Sequence, residues 1–172
     1  MSDLLKRPTP EQVKRLPKAL LHDHLDGGLR PQTIIDIANE IGYEALPTKD
    51  AAELAIWFRE SCDSGSLVRY LETFGHTIAV MQRREDIVRV ARECALDLAR
   101  DGVVYAEVRG APELFVEKGL SLSQVIEATL EGYRLGEADA KAEGLQIRVV
   151  SLLCGMRQNK RSQEVAELVV KY

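Results

Sequence analysis

Apolar positions along the chain change their period several times, and each change marks an element. Lys18-Ala19-Leu20-Leu21-His22-Asp23-His24-Leu25 follows Pro17 and stops at Gly27-Gly28, the pattern of a short strand running into a turn. Pro31 then suits the first position of a helix, with Ile34, Ile37, Ala38 and Ile41 on one face before Gly42 ends it. Residues 48–101 read as largely helical, with Thr48 and Ser66 as expected N-caps. The last of these helices carries a stripe of Ile87, Val90, Ala91, Cys94, Ala95 and Leu98 and closes at Asp101-Gly102. A second strand, Val103–Arg109, follows at once. Ser121-Leu122-Ser123-Gln124 has capping-box spacing and opens a helix reaching about Gly144. A third strand spans Ile147–Cys154, and Ser162 opens a final helix through Glu164, Val165, Leu168 and Val169.

Strands that alternate with helices of this length imply right-handed crossovers and a parallel sheet, an α/β fold. Only the first connection departs from the scheme, because it holds several helices where one would suffice. Three such strands leave a sheet edge open. Two architectures remain: a small open α/β layer, or the front part of a (β/α)8 barrel, which needs about 250 residues. The motifs below favour the barrel, with about three βα units and a helical insertion after the first strand. Residues 1–172 are then one incomplete barrel domain.

The chain of 172 residues carries 23 Lys and Arg against 27 Asp and Glu, a formal net charge of −4, with 45% hydrophobic residues. That composition fits neither disorder nor a fibrous repeat. Its mildly acidic, mixed surface argues against nucleic acid or an anionic membrane as a partner. No apolar run is long enough to span a bilayer, and MSDLLKRPTP holds no apolar leader segment. Cys62, Cys94 and Cys154 are odd in number and widely spaced, the usage of reduced thiols, so a cytoplasmic location is expected.

The chemistry concentrates at the end of the first strand. His22 and His24 are two residues apart, and in an extended strand such side chains share a face. Two imidazoles there can ligate a divalent ion, zinc before other transition metals. Strand C-termini are also where barrel enzymes place their catalytic groups. Ordinary packing or hydrogen bonding explains a bare His-x-His equally well. Asp26 projects from the same side if the extension continues. It can orient an imidazole or accept a hydrogen bond from a substrate hydroxyl, although an Asp-Gly turn needs no such role.

Leu21-His22-Asp23-His24-Leu25-Asp26-Gly27-Gly28-Leu29-Arg30-Pro31 resembles the first-strand metal motif of the adenosine deaminase family, metal-dependent amidohydrolases with a (β/α)8 barrel. The resemblance continues in GVVYAEVRGAPELF (residues 102–115) and RVVSLLCGMRQNKRS (residues 148–162) and covers nearly the whole chain. His-x-His alone belongs to many amidohydrolases; HxHLDG with an EVR strand some eighty residues later is far more specific. Gly110 stands where the family usually has an aromatic residue, and Phe115 where a polar residue, often His, is usual.

The resemblance implies hydrolytic deamination of a purine nucleoside such as adenosine or 2′-deoxyadenosine, with water activated by zinc attacking the amino-bearing carbon. It assigns His22 and His24 as metal ligands and His24 and Asp26 as substrate contacts, Asp26 on a ribose hydroxyl. A carboxylate there favours a free hydroxyl over a phosphate. The family's third histidine, the glutamate of its HAGE-type segment, a further histidine and a metal-ligating aspartate have no counterpart here. Hence no catalytic residue is assigned within residues 1–172, the chain alone is expected to be inactive, and a C-terminal half is the expected missing partner.

His76, within Phe74-Gly75-His76-Thr77, reads as a helix-face or core histidine. Glu107 and Arg109 share a face of the second strand and suggest an ion pair. Cys154 suggests a small buried hydrophobe. Trp57, Phe58, Tyr70 and Phe74 are either core or an apolar lid over a purine, and the segment 157–161 is a solvated basic loop. The competing functions are a sibling deaminase acting on adenine, adenosine monophosphate or a modified nucleoside; a non-enzymatic fragment or pseudoenzyme subunit; and a small binding domain with incidental histidines.

Overall fold

A computed structural model of the chain describes residues 7–172. Its elements run α1 (Pro10–Arg15), β1 (Lys18–His24), α2 (Pro31–Ile41), α3 (Ala51–Cys62), α4 (Leu67–Ala79), α5 (Arg84–Arg100), β2 (Val103–Gly110), α6 (Leu122–Ala142), β3 (Arg148–Leu153) and α7 (Ser162–Lys171). Short 3₁₀ turns at Leu25–Gly27 and Pro112–Phe115 follow the first two strands. The three strands form a parallel sheet in the order β1-β2-β3, and the α2–α5 region is the expected helical insertion. Their C-terminal ends share one edge, so His24, Gly110 and Leu153 open onto the same side.

Local chemistry accounts for most boundaries. Pro31 starts α2, and Gly42 ends it with φ 71°, a left-handed conformation in which a Cβ would be strained. Ser66 caps α4 through the Arg69 N–H, and Ser121 with Gln124 forms the full capping box of α6. The cap of α3 is Asp50 and not Thr48: its carboxylate accepts from the N–H groups of Ala52 and Glu53, each at 2.9 Å. Thr48 supports that carboxylate residue, accepting from the Asp50 N–H and donating to Glu53. Helix α1 was not expected. Its signal is the same as that of α6, since Thr9 and Gln12 make a capping box around Pro10.

The core joins the sheet to α2, α5 and α6 through Ile34, Ile37, Ile87, Ala91, Ala106, Val108, Val125 and Val149, with Leu54 of α3 also buried. Each large aliphatic buried this way contributes about 1.5–3 kcal/mol. Helices α5 and α6 approach unusually closely. A Cβ at Gly132 of α6 would stand 2.5 Å from the Ala91 Cβ and 2.6 Å from the Val88 carbonyl oxygen. Gly136, one turn on, would meet the Ala95 Cβ at 2.7 Å. The two glycines therefore let the helix backbones touch where any side chain would separate them.

Candidate active site

The strand carrying the histidines is not uniformly extended. Leu20 is opposite Ala106 and Asp23 opposite Val108, so β1 spends three residues where β2 spends two. The surplus is a bulge at Leu21-His22, and His22 has φ 63°. Left-handed backbone costs a non-glycine residue about 1–2 kcal/mol, although histidine tolerates it better than a β-branched residue. Simple alternation is thus not what pairs the two imidazoles; the bulge turns His22 onto the sheet's C-terminal edge, where its ring lies beside that of His24. The ring centroids are 5.6 Å apart and tilted by 50°.

That spacing can be compared with a shared ion. A metal about 2.0–2.1 Å from a ring nitrogen is roughly 3.2 Å from the ring centre, so two imidazoles on one tetrahedral ion have centres about 5 Å apart. The observed separation falls near this value. Such a pair would supply two of four donors, and among the described residues no group of three or more His, Cys, Asp or Glu assembles a metal site.

Asp26 reaches the pair by a different route from the one expected. The strand ends at His24, and the 3₁₀ turn brings Asp26 back beneath it, buried at 6% exposure with Oδ1 3.8 Å from the His24 Nδ1. Burial pushes its carboxyl upward from the ordinary carboxylate value, while its own backbone N–H and the charges of His24 and Arg109 work in the opposite sense. Arg109 completes the cluster: its Nη1 is 2.6 Å from the His22 Nε2. The expected Glu107–Arg109 ion pair does not form, because Glu107 instead accepts from the Tyr105 hydroxyl at 3.1 Å.

Asp26 faces a second feature. A cavity of about 250 Å³ lies between it and the helical insertion, lined by Gly27, Phe58, Tyr70, Thr73 and Phe74 among others. Three of the four aromatics considered for a lid therefore share a cleft with Asp26. Trp57 turns away, edge-on to Phe58 and His76. Helix α4 also leaves Leu67, Val68 and Leu71 exposed beside Tyr70. His76 is a packing residue as expected: its Nδ1 is 2.9 Å from the Tyr43 hydroxyl, and desolvation holds its pKa below the usual value. Cys154 is half-buried at the end of β3, its N–H donating to the Gly110 carbonyl oxygen. The basic loop 157–161 is mostly exposed, and Arg161 makes a forked pair with Glu164.

Glu113 was not singled out beforehand, and Arg109 was expected beside Glu107 and is found on His22. Glu113, buried in the turn after β2, accepts from the Met156 N–H at 2.5 Å and so ties that turn to the loop after β3, while its Oε1 has no partner among the described residues.

Residues 17–172 match a family described as Adenosine deaminase. Adenosine deaminase 1 of Streptomyces coelicolor is 60% identical over 167 residues, 97% of this chain and 42% of that protein. The adenosine deaminase of Mycobacteroides abscessus is 57% identical over 160 residues, 93% of this chain and 44% of that protein. The chain thus spans less than half the length of these curated relatives. Among solved structures, Arabidopsis ADAL complexed with GMP superposes with a TM-score of 0.75 at 27% identity, covering 94% of this chain and 47% of that one.

Proposed function

The chain belongs to the adenosine deaminase family, and from that premise we propose that it carries the first-strand half of a zinc-dependent purine nucleoside deaminase site. The reading rests chiefly on one observation, two imidazoles 5.6 Å apart at the C-terminal edge of a parallel sheet. His22 and His24 would hold the ion, whose contribution is to make water acidic enough to be a nucleophile near neutral pH. Its substrate is a purine with an exocyclic amino group, most simply adenosine, released as inosine and ammonia. That a structural neighbour was solved with GMP supports the purine class.

The substrate contacts proposed within residues 1–172 come from side chains beside the pair. Asp26 accepts a hydrogen bond from a ribose hydroxyl at the mouth of the cleft, and His24 lies between that contact and the metal position. Phe58, Tyr70 and Phe74 give the purine ring an apolar wall and keep bulk water from it. At about 250 Å³ the cleft falls below the roughly 300–1,000 Å³ of enclosing ligand pockets. It can seat a ring without closing around a nucleoside. Two protein ligands also hold a metal weakly and define no open coordination position. Residues 1–172 are therefore proposed to need further ligands and a general acid from outside their own length. Its three cysteines form no disulfide, which suits a reducing compartment such as the cytoplasm.

Ammonia release from adenosine tests the proposal. The chain with zinc alone should show no turnover above the zinc blank. Adding a polypeptide that supplies the remaining part of the Streptomyces relative should restore turnover, and His22→Ala should abolish it. Turnover by residues 1–172 alone, or restored activity indifferent to His22→Ala, would contradict it. Comparing adenosine with adenosine monophosphate separates the nucleoside from the nucleotide reading, because the Asp26 carboxylate opposes a phosphate.

A further inference from the structure

We propose that Arg109 is a placeholder cation on the metal pair: in the metal-free chain its guanidinium holds the His22 lone pair, and it must be displaced before an ion can bind. The inference rests on the assignment of His22 and His24 as metal ligands. A guanidinium has only donors and keeps its proton at any relevant pH. At 2.6 Å from Arg109 Nη1, the His22 Nε2 is therefore the acceptor, and the neutral ring carries its proton on Nδ1. That tautomer presents Nε2 as the free ligand nitrogen once the arginine leaves.

The contact is not an incidental consequence of strand pairing. Arg109 is level with His24, not His22, in the β1–β2 register, so its side chain reaches diagonally toward the bulge. Glu107, two residues earlier on the same strand, engages Tyr105 and leaves the imidazole as the hydrogen-bond partner of Arg109. One lone pair cannot serve two cations. Arg109 thus does two things: it fixes the tautomer and the ring orientation that the ion needs, and it competes with the ion for the same nitrogen.

The test uses the metal-free 172-residue chain and zinc chloride. Long-range ¹H–¹⁵N spectra of the wild-type imidazoles should show His22 protonated on Nδ1; protonation on Nε2 would overturn the proposal without recourse to any variant. Calorimetric titration with zinc should show tighter binding by Arg109→Met, by roughly two- to fivefold, the span of one solvent-exposed charged contact. Arg109→Lys, which keeps the charge, should gain less than Arg109→Met. Uptake that depends on His22 but is equally tight in wild type and Arg109→Met overturns the placeholder and leaves the metal assignment standing. Uptake by both that is unchanged by His22→Ala, or no uptake by either, overturns both.

Discussion

Replacing glycine with alanine at two helical positions should move stability in opposite directions, and the structure says by how much. In α6, a Cβ at Gly132 would come to 2.5 Å from the Ala91 Cβ, 2.6 Å from the Val88 oxygen and 3.1 Å from the Arg92 nitrogen. Ordinary carbon contacts need about 3.5 Å, so α5 and α6 must separate by nearly an ångström or deform. None of the three atoms is the end of a flexible side chain. Overpacking of this kind costs about 3 kcal/mol, against a gain of about 1 kcal/mol from alanine's better helix propensity. The net loss is about 2 kcal/mol, which lowers Tm by about 4–8 °C in a chain of this size. Gly75 in α4 is the control: among the described residues nothing lies within 4 Å of its Cβ position. Gly75→Ala should gain up to about 1 kcal/mol by propensity alone. Urea unfolding followed by circular dichroism reads both, as midpoints shifted in opposite senses with unchanged slope. A Gly132→Ala chain as stable as wild type would refute the close helix contact, whatever Gly75→Ala does.

Three other outcomes follow from single residues. Asp50→Ala should cost about 1 kcal/mol through the lost cap of α3, and Thr48→Ala clearly less, as read from thermal melts. Burial, with the charges of Asp23 and Asp97, pushes the Cys94 thiol up to about 12, whereas Cys62 is exposed. A disulfide reagent at pH 8 should therefore label Cys62 in the folded chain long before Cys94, and equal rates would contradict this. His76 is held below its ordinary value of 6.5 by desolvation, so the unfolded chain binds the proton more tightly. The stability it contributes is complete above pH 6.5 and is lost as pH falls through its lower folded value. His76→Gln should flatten that part of the pH–stability curve, measured as urea midpoints between pH 8 and pH 5.

The alternation of strand and helix was legible because short apolar runs flanked by glycine and proline leave little choice of element, as at Val103–Gly110 after Asp101-Gly102. Capping chemistry was legible where the side chain could be paired with a partner three residues on, as at Ser121 and Gln124. The same logic at Thr9 and Gln12 marks α1, a helix with no buried residue and hence no apolar stripe to draw attention to it. Thr48 was the expected cap of α3, but Asp50 two residues on can cap equally well by residue type. Only the backbone path decides which oxygen meets the free N–H groups. At the site, the proximity of His22 and His24 was anticipated, but through an uninterrupted strand. Periodicity cannot register a bulge that adds one residue and a positive φ. Asp26 likewise joins the cluster through a turn rather than by alternation. The Arg109–His22 contact and the Gly132–Ala91 approach depend on strand register and helix packing between distant segments, which no local pattern encodes.

The central claim is that His22 and His24 bind one ion together. X-ray absorption spectroscopy of the chain loaded with one equivalent of zinc counts its ligands directly. Two imidazole nitrogens at about 2.0–2.1 Å are predicted for the wild type, falling to one in His22→Ala and in His24→Ala. A shell that contains sulfur, or one unchanged by either substitution, would contradict the assignment.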